Sequence, residues 1–225
     1  LCADEIKQVD DGTILSVEDH YIHLHLHGVF MAQNALISIA AVRSLGVSVS
    51  TCAQALEKID VLPGRAEIVK SKKGFKAIVD YAHEPKSFVA ILDTARTIKG
   101  AQKIITVFGV TGGGRDKAKR VDMGKIAAQK SDYIILTTDD PYDDDPNILI
   151  EDIVPGIDSV KGWTEKENWW RIVERRDAIK KAIKIARKND IILLLGKGSE
   201  KTMALKNGKM IKWSDIEVVR ELLDL

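Results

Sequence analysis

Four segments of the chain carry most of the side chains that could bind or activate a ligand. Each follows a short apolar run rich in β-branched residues, and together they supply carboxylates, an arginine, a lysine and clustered glycines. Such groups bind carboxylates or phosphates at one point and ammonium groups or metal ions at another. The segments are Asp80 to Pro85, Gly109 to Asp116, Thr137 to Asp145 and Gly196 to Glu200.

The glycine-rich segment links a predicted strand to a predicted helix. Glycines there let backbone amides approach an anion at the helix N-terminus, although a loop that needs positive φ without any ligand has the same composition. A dinucleotide fingerprint requires a glycine where Lys117 stands, so hydride transfer is not supported. The guanidinium of Arg115 suits a carboxylate or a phosphate, and the alternative is a pair with Asp116 or with solvent.

The acidic segment holds five aspartates between Asp139 and Asp145. Like charges at this density repel one another unless a metal ion or a substrate ammonium lies among them. We expect Asp139 and Asp140, nearest the strand end, to bind a ligand. We expect Asp143 to Asp145 to form a solvated acidic loop in which Asp145 caps the next helix.

Two further clusters are interpreted without a ligand. His23, His25 and His27 alternate and so project from one face of a strand, a spacing compatible with metal binding. No cysteine or carboxylate near them in sequence completes such a site, and we predict no metal site. The three tryptophans between Trp163 and Trp170 lack a neighbouring basic stripe, which favours packing at the start of a strand over nucleic-acid stacking.

Apolar runs alternate with helical stretches after residue 64, which predicts an α/β fold with a Rossmann-like, doubly wound and mostly parallel sheet. Ligands bind such sheets at the carboxyl ends of strands, so the four segments are expected to share one site. Asn207-Gly208 predicts a hairpin, which we expect to form an antiparallel edge before a last helix. The predicted strands are Phe75 to Val79, Lys103 to Phe108, Tyr133 to Thr137 and Ile191 to Leu195, and the predicted helices are Ser87 to Ile98, Lys117 to Lys130 and Asp177 to Lys188.

The N-terminal part of the chain has a different pattern. Thr13 to Val17 and Tyr21 to His27 alternate polar and apolar residues, which predicts a hairpin, and helical spacing follows from Met31 and again from Ser48 or Ser50. Pro63-Gly64 ends this pattern. We therefore predict one domain over residues 1–64 and a second over residues 65–225.

Composition limits the class of protein. The 225 residues carry 34 Lys and Arg against 33 Asp and Glu, so the net charge of +1 gives no reason to expect a nucleic acid or an anionic membrane as partner. No apolar run approaches the ~20 residues that span a bilayer. The two cysteines fit a reducing compartment, and we expect a cytoplasmic protein. Because the chain begins with Leu1 rather than Met, we expect it to be a piece of a longer polypeptide.

Five motifs occur in the order and spacing of one family. The sequence resembles the Mur ligases, and within them the UDP-N-acetylmuramoyl-dipeptide ligases that add the third amino acid of the peptidoglycan stem, from about Gly28 to the C-terminus. The motifs are Leu62-Pro63-Gly64-Arg65, Asp80-Tyr81-Ala82-His83-Glu84-Pro85, Gly109 to Arg120 with Met123-Gly124, Asp139-Asp140-Pro141 and Gly196-Lys197-Gly198-Ser199-Glu200.

The resemblance implies a three-domain ligase with a UDP-sugar domain, a central ATPase and a Rossmann-like C-terminal domain that brings the amino acid. Residues 1–64 would be the tail of the central domain and residues 65–225 the C-terminal domain. The chain has no G-x-x-x-x-G-K-[ST] loop, so the P-loop and the Mg²⁺ ligands are expected outside it. The implied reaction joins UDP-N-acetylmuramoyl-L-Ala-D-Glu to an amino acid through an acyl phosphate made from ATP. The implied partners are these three substrates and the N-terminal and central domains of the same polypeptide.

The resemblance also implies roles for individual residues. At the ATP, Asn34 would lie against the adenine, Arg65 near the phosphates and Asp80 on the ribose, with Tyr81 and His83 nearby. Arg115 would grip the carboxylate of the incoming amino acid. The implied pocket for its far end consists of Asp139, Asp140, Tyr142, Gly196, Lys197 and Glu200. No residue of the chain is assigned as a catalytic acid or base, because the domain contributes orientation.

Two departures from the family pattern bear on the amino acid. Asp140 and Tyr142 stand where ligases that add meso-diaminopimelate have asparagine and arginine. A carboxylate at Asp140 would repel a distal carboxylate and attract a bare ammonium, so we expect lysine or a similar diamine in preference to meso-diaminopimelate. Ser199 also replaces a histidine, and Met31 an asparagine. The alternative to a ligase is a non-catalytic module that binds a nucleotide or an amino acid. We expect the chain by itself to be inactive.

Overall fold

The computed structural model describes all residues from 1 to 225. Its contacts separate into two compact units. The first comprises Leu1–Leu62 with Thr97–Lys99, and the second comprises Pro63–Arg96 with Gly100–Leu225. None of the helices has both the length and the apolar composition needed to cross a membrane.

The first unit is a three-stranded antiparallel sheet covered by two helices. Its sheet order is β1-β2-β3. Alternate strand residues such as Leu15 and Ile22 are fully buried and pack against the helical residues Ala32 and Ile39. Its elements are β1 (Glu5–Val9), β2 (Gly12–Val17), β3 (His20–Leu24), α1 (Val29–Arg43) and α2 (Val49–Leu56).

The predicted hairpin is present as β2 and β3, although the turn is Glu18-Asp19 and both of its residues have positive φ. Strand β1 was not predicted, because only two of its five residues are apolar and neither is fully buried. Ser48 caps α2 by accepting a hydrogen bond from the Thr51 amide at 3.1 Å. Helix α1 ends at Arg43, and the amide of Gly46 closes the chain back onto the Arg43 carbonyl.

The second unit is built on a six-stranded sheet of order β4-β5-β9-β6-β7-β8. Strand β4 is antiparallel to β5, and the remaining neighbours are parallel, which confirms the predicted fold class. Its strands are β4 (Glu67–Lys70), β5 (Lys76–Asp80), β6 (Ile104–Phe108), β7 (Tyr133–Leu136), β8 (Trp169–Arg171), β9 (Ile191–Leu195), β10 (Thr202–Leu205) and β11 (Lys209–Lys212). Its helices are α3 (Pro85–Thr97), α4 (Ala118–Lys130), α5 (Pro146–Glu151), α6 (Val154–Asp158), α7 (Arg175–Ile185) and α8 (Asp215–Leu222).

Helices cover both faces of this sheet, which explains why its central strands are apolar throughout. Val107 of β6 belongs to the core that includes Ile179 of α7 and Val219 of α8. The next residue, Phe108, points to the other face and meets the ring of Phe88 on α3 edge to face, with ring centroids 4.9 Å apart. Every residue of β6 and β9 is buried. A strand buried on both faces has no polar side to display.

The predicted antiparallel edge was assigned to the wrong element. Strands β10 and β11 do pair around Asn207-Gly208, and both turn residues have positive φ. They form a separate two-stranded sheet, however, and the antiparallel edge of the main sheet is β4. Sequence pattern identifies a hairpin but not the sheet it joins, because that depends on distant contacts such as the one between Asp140 and the Ala204 amide at 2.7 Å.

Candidate functional site

One pocket lies at the carboxyl end of the six-stranded sheet, and all four chemistry-bearing segments line it. The adjacent strands β5, β9, β6 and β7 are parallel to one another. Their carboxyl ends therefore lie at the same edge of the sheet. Eight of the residues predicted for the site line this pocket, namely Tyr81, His83, Arg115, Asp139, Asp140, Tyr142, Gly196 and Glu200. The structure therefore brings together residues that are as much as 119 positions apart.

Asp139 is the most deeply placed carboxylate of the pocket. Its residue surface is only 3% exposed, and no donor of the chain makes a hydrogen bond to its carboxylate. The nearest cation is the Nζ atom of Lys197, 3.8 Å from Oδ1. Burial raises the pKa of Asp139 to about 6, although Arg175 and Lys197 oppose the rise. Asp139 thus has only a long ion pair with Lys197, and burial favours its protonated form more than in an exposed aspartate.

Gly196 is required by the close approach of this carboxylate. Its φ is +107°, and a Cβ placed there would lie 2.5 Å from Oδ2 of Asp139. Any other residue would displace Asp139 or the loop that follows β9. The glycine therefore positions the pocket, and its role does not require contact with a ligand.

Lys197 is a buried cation that pairs with two carboxylates of the pocket. Its side chain is fully buried, and its Nζ lies 2.8 Å from Oδ1 of Asp140 and 2.5 Å from Oε2 of Glu200. Burial alone would lower the pKa of Lys197, but the hydrogen bonds to Asp140 and Glu200 outweigh it and the pKa is raised. Lys197 therefore stays an ammonium. It links the loop after β7 to the loop after β9.

The residues present do not fit a Mg²⁺ site in this pocket. Asp139, Asp140 and Glu200 place three carboxylate oxygens within 4.8 Å of one another, a spacing that suits a metal ion. The ammonium of Lys197 already lies among these oxygens, so a cation is built into the cluster. Three carboxylates against one ammonium leave an excess of negative charge if all are ionised, and that charge attracts a ligand cation.

Arg115 provides an unpaired positive charge in the same pocket. It is exposed and forms no ion pair, and Asp116, the alternative partner expected from sequence, instead accepts the Ala118 amide at 2.9 Å. The other lining cation, Lys119, is paired with Glu84. Arg115 is thus the cation left available to a ligand carboxylate.

The other three aspartates of the acidic segment accept hydrogen bonds from backbone amides near the pocket. Asp145 caps α5 by accepting the Asn147 amide, as predicted. Asp143 and Asp144 are exposed, but they do more than contact solvent. Asp143 accepts the Asn207 amide at 2.8 Å, and Asp144 accepts the Gly113 amide at 3.0 Å. The glycine-rich segment is therefore held by an acceptor of the chain itself at one of the amides expected to meet an anion.

Residues predicted to contact ATP occupy different settings. Asp80 is buried, and its two oxygens accept the amides of Ala66 and Ala82, each at 2.8 Å. Burial raises its pKa against the effect of those two bonds. The guanidinium of Arg65 lies 4.7 Å from the ring centre of Tyr81. Asp80 thus orders the backbone that carries Arg65.

The remaining predicted ATP contacts are also placed by the structure. His83 donates from Nδ1 to the Tyr81 carbonyl at 2.7 Å, since a carbonyl can only accept. Tyr81 donates its hydroxyl to Glu200 at 3.3 Å. Asn34 belongs to the first unit, where it lies on α1 with an exposed side chain. The roles at ATP stay predictions.

Sequence patterns missed an arginine that supports the floor of the pocket. Arg175 is fully buried and pairs with Asp215 through two hydrogen bonds of 2.8 Å and 2.6 Å. It also donates to the carbonyls of Thr138 and Leu195, at the ends of β7 and β9. Thr111, Glu84 and Lys119 were likewise not predicted as lining residues. All three lie within the segments or motifs that the sequence singles out, Glu84 in Asp80 to Pro85, Thr111 in Gly109 to Asp116 and Lys119 in Gly109 to Arg120.

Comparison with known proteins identifies the family. The family model described as "Mur ligase, glutamate ligase domain" matches residues 64–198. The chain belongs to the Mur ligase family. It is 41% identical over 220 residues to the UDP-N-acetylmuramoyl-L-alanyl-D-glutamate--2,6-diaminopimelate ligase of Clostridium botulinum, covering 96% of this chain and 43% of that protein. The chain thus spans less than half the length of this curated relative.

Solved structures give the same family and fold. A structure of a UDP-N-acetylmuramoyl-L-alanyl-D-glutamate--2,6-diaminopimelate ligase matches with a TM-score of 0.68 and 26% identity, over 99% of this Mur ligase chain and 45% of that one. The folylpolyglutamate synthase of Mycobacterium tuberculosis, solved with ADP, matches with a TM-score of 0.66 over 86% of this chain and 44% of that one. At 18% identity this second match shows the fold alone.

Proposed function

We propose that this chain is the amino-acid-binding part of an ATP-dependent ligase of peptidoglycan synthesis. The ligase adds a diamino acid to UDP-N-acetylmuramoyl-L-Ala-D-Glu. One observation carries the proposal: a single pocket holds a buried carboxylate, Asp139, whose nearest cation is 3.8 Å away, together with an arginine without an ion-pair partner, Arg115. An amino acid with a second amine offers both complements, a carboxylate for the guanidinium and an ammonium for the acidic cluster.

The pocket contributes binding and orientation. Arg115 takes the α-carboxylate, and Asp139 with Glu200 takes the distal ammonium, which fixes the ligand at both ends. The α-amine is left free to attack an activated carboxyl group. Holding a nucleophile in an attacking geometry accelerates a reaction without any acid or base on this domain. The names of the relatives support the class of substrate, since they include 2,6-diaminopimelate.

ATP is the proposed energy source. The fold is shared with a synthase solved with ADP, and the family motif residues Arg65 and Asp80 lie together beside Tyr81. The chain lacks a P-loop, so it would supply only part of the nucleotide contacts. We assign Mg²⁺ to the remainder of the ligase, because the acidic cluster of this pocket holds Lys197 instead.

The proposed domain organisation follows from the same comparison. Residues 65–225 would be the C-terminal domain and residues 1–64 the tail of a central ATPase domain. The separation of contacts between Leu62 and Pro63 and the family match from residue 64 support this division. The N-terminal and central domains of the same polypeptide are then the closest partners of this chain.

The test starts with the gene. A reading frame that continues upstream of Leu1 through a G-x-x-x-x-G-K-[ST] segment is expected, and the encoded ligase should form the amide product from ATP, the dipeptide substrate and a diamino acid. The Arg115→Gln variant should raise the KM for the amino acid at least tenfold, whereas Arg176→Gln, which removes an exposed pair with Glu221, should not. A frame without such a segment, or a ligase indifferent to Arg115→Gln, contradicts the proposal and favours a non-catalytic binding module.

A further inference from the structure

Two histidines and an aspartate lie close together near the end of β3 in the first unit. Ile22 and Leu24 of β3 point into the core, so His23 lies on the opposite face, and His25 follows directly after the end of β3. Their ring centroids are 4.6 Å apart with the rings tilted by 52°. Nε2 of His23 lies 3.2 Å from Oδ1 of Asp11. We propose that Asp11, His23 and His25 form a binding site for a transition-metal dication such as Zn²⁺.

The register of the sheet explains why Asp11 reaches these histidines. Val9 pairs with Gly12, so Asp10 and Asp11 form a two-residue turn between β1 and β2. Gly12 has a φ of +154°, and a Cβ there would lie 1.9 Å from the carbonyl oxygen of Leu24. Because a larger residue is excluded, the turn is held tightly against the end of β3. Asp11 is thereby placed beside His23, 12 positions away in sequence.

The three groups have the composition and spacing of a metal site. One ligand atom from each lies within 4.8 Å of the others. Tetrahedral Zn²⁺ with bonds near 2.1 Å needs about 3.4 Å between ligand atoms, a contraction that small side-chain rotations supply. Imidazole nitrogens with one carboxylate oxygen are a common zinc donor set, and three protein ligands leave one position for water.

The histidines differ in what else they contact. No hydrogen bond is formed by the ring of His25, so its nitrogens are available to a metal ion. The ring of His23 contacts Asp11 at 3.2 Å, and the backbone amide of His23 donates to Glu57 at 3.2 Å. His27, the third histidine of the alternating run, lies outside the cluster, with Nδ1 3.4 Å from Nε2 of Gln8. The site is independent of the amino-acid pocket, since all its residues belong to the first unit.

The direct test is a titration of the 225-residue chain with Zn²⁺, and with Mg²⁺ as an oxygen-preferring contrast. The exposed Cys2 is replaced by serine in every sample, so that a thiol does not contribute. We expect one equivalent of Zn²⁺ to bind with at least tenfold higher affinity than Mg²⁺. The imidazole NMR signals of His23 and His25 should shift on binding, and those of His20 and His27 should not. This readout uses the chain with all of its histidines in place.

Variants provide the second arm. His23→Gln and His25→Gln should each weaken Zn²⁺ binding at least tenfold, whereas the matched controls His20→Gln and His27→Gln should leave it unchanged. Asp11→Asn should weaken it as well. Zn²⁺ binding that survives both cluster variants, that shifts no imidazole signal, or that is lost only on Glu200→Gln in the amino-acid pocket would overturn the proposal.

Discussion

The ammonium of Lys197 lies 2.8 Å from the carboxylate of Asp140, and the two residues come from loops that follow different strands of the sheet. Asp140 also accepts the Ala204 amide at 2.7 Å, so its charge is engaged by two donors. From the sequence alone, Asp140 is expected to be a free charge that repels a distal carboxylate. The pair works differently: Asp140 and Glu200 occupy the ammonium of Lys197, which leaves no second free cation for a second ligand carboxylate.

This relationship predicts the amino-acid preference of the full-length ligase. Lysine has one carboxylate, which Arg115 satisfies, whereas meso-diaminopimelate has two. We expect kcat/KM to be higher for lysine than for meso-diaminopimelate. Asp140→Asn keeps the Oδ1 acceptor of the Ala204 amide but removes the negative charge beside Lys197. Combined with Tyr142→Arg, which adds a cation, it should move the ratio toward meso-diaminopimelate by about tenfold, or ~1.4 kcal/mol. A wild-type preference for meso-diaminopimelate, or a ratio that the double variant leaves unmoved, would contradict this assignment.

Asp139 predicts a pH dependence of amino-acid binding. Its carboxyl is half protonated at a pH of about 6, and the neutral form does not attract an ammonium. Affinity for lysine should therefore fall as pH drops below 6, by up to about tenfold per pH unit, and level off above 7. NMR titrations of the chain at several pH values measure this. The Asp139→Asn variant should bind weakly with a flat profile, and a flat profile in the parent chain would refute the role of Asp139.

The raised pKa of Asp139 also predicts how stability depends on pH, and the direction is opposite to that of lysine affinity. The folded-state pKa of Asp139 is raised above the unfolded value of 3.8, so the folded state binds the proton more tightly. This contribution to stability is present at low pH and is lost as pH rises from about 3.8 to about 6. At pH 7.5 the Asp139→Asn variant should therefore resist urea better than the parent chain. Equal or lower stability would show that burial of the ionised carboxylate carries no net cost.

The buried ion pair between Arg175 and Asp215 predicts that substitution of Arg175 strongly destabilises the fold, although Arg175 does not line the pocket. Removing one partner of a buried ion pair leaves the other charge unpaired, at a cost of about 3–5 kcal/mol. Arg175→Met should reduce the free energy of unfolding in urea by that amount. The neighbouring Arg176 pairs with Glu221 at the surface, so Arg176→Met should cost at most about 1 kcal/mol. Similar values for the two variants would show that the Arg175–Asp215 pair does not support the pocket floor.

Some residues of the site can be predicted from local sequence patterns, whereas others are placed by contacts between distant parts of the chain. The positions of Asp139 and Gly196 follow from strand patterns, because parallel strands end at one edge of the sheet. Arg175 and Asp215 are 40 positions apart on two helices, and no local pattern marks their pairing. Strand β4 and the separate β10–β11 sheet were missed or misplaced for the same reason, since pairing partners are set by tertiary contacts.

The central claim is that this pocket recognises both ends of a diamino acid, and binding of lysine against norleucine tests it most directly. Norleucine has the same carbon chain but lacks the distal ammonium. In NMR titrations of the chain at pH 7.5, lysine should bind at least tenfold more tightly than norleucine. Glu200→Gln should reduce that difference, and Arg115→Gln should weaken both ligands equally. Equal affinities for the two amino acids, or a lysine advantage that Glu200→Gln leaves intact, would contradict the account.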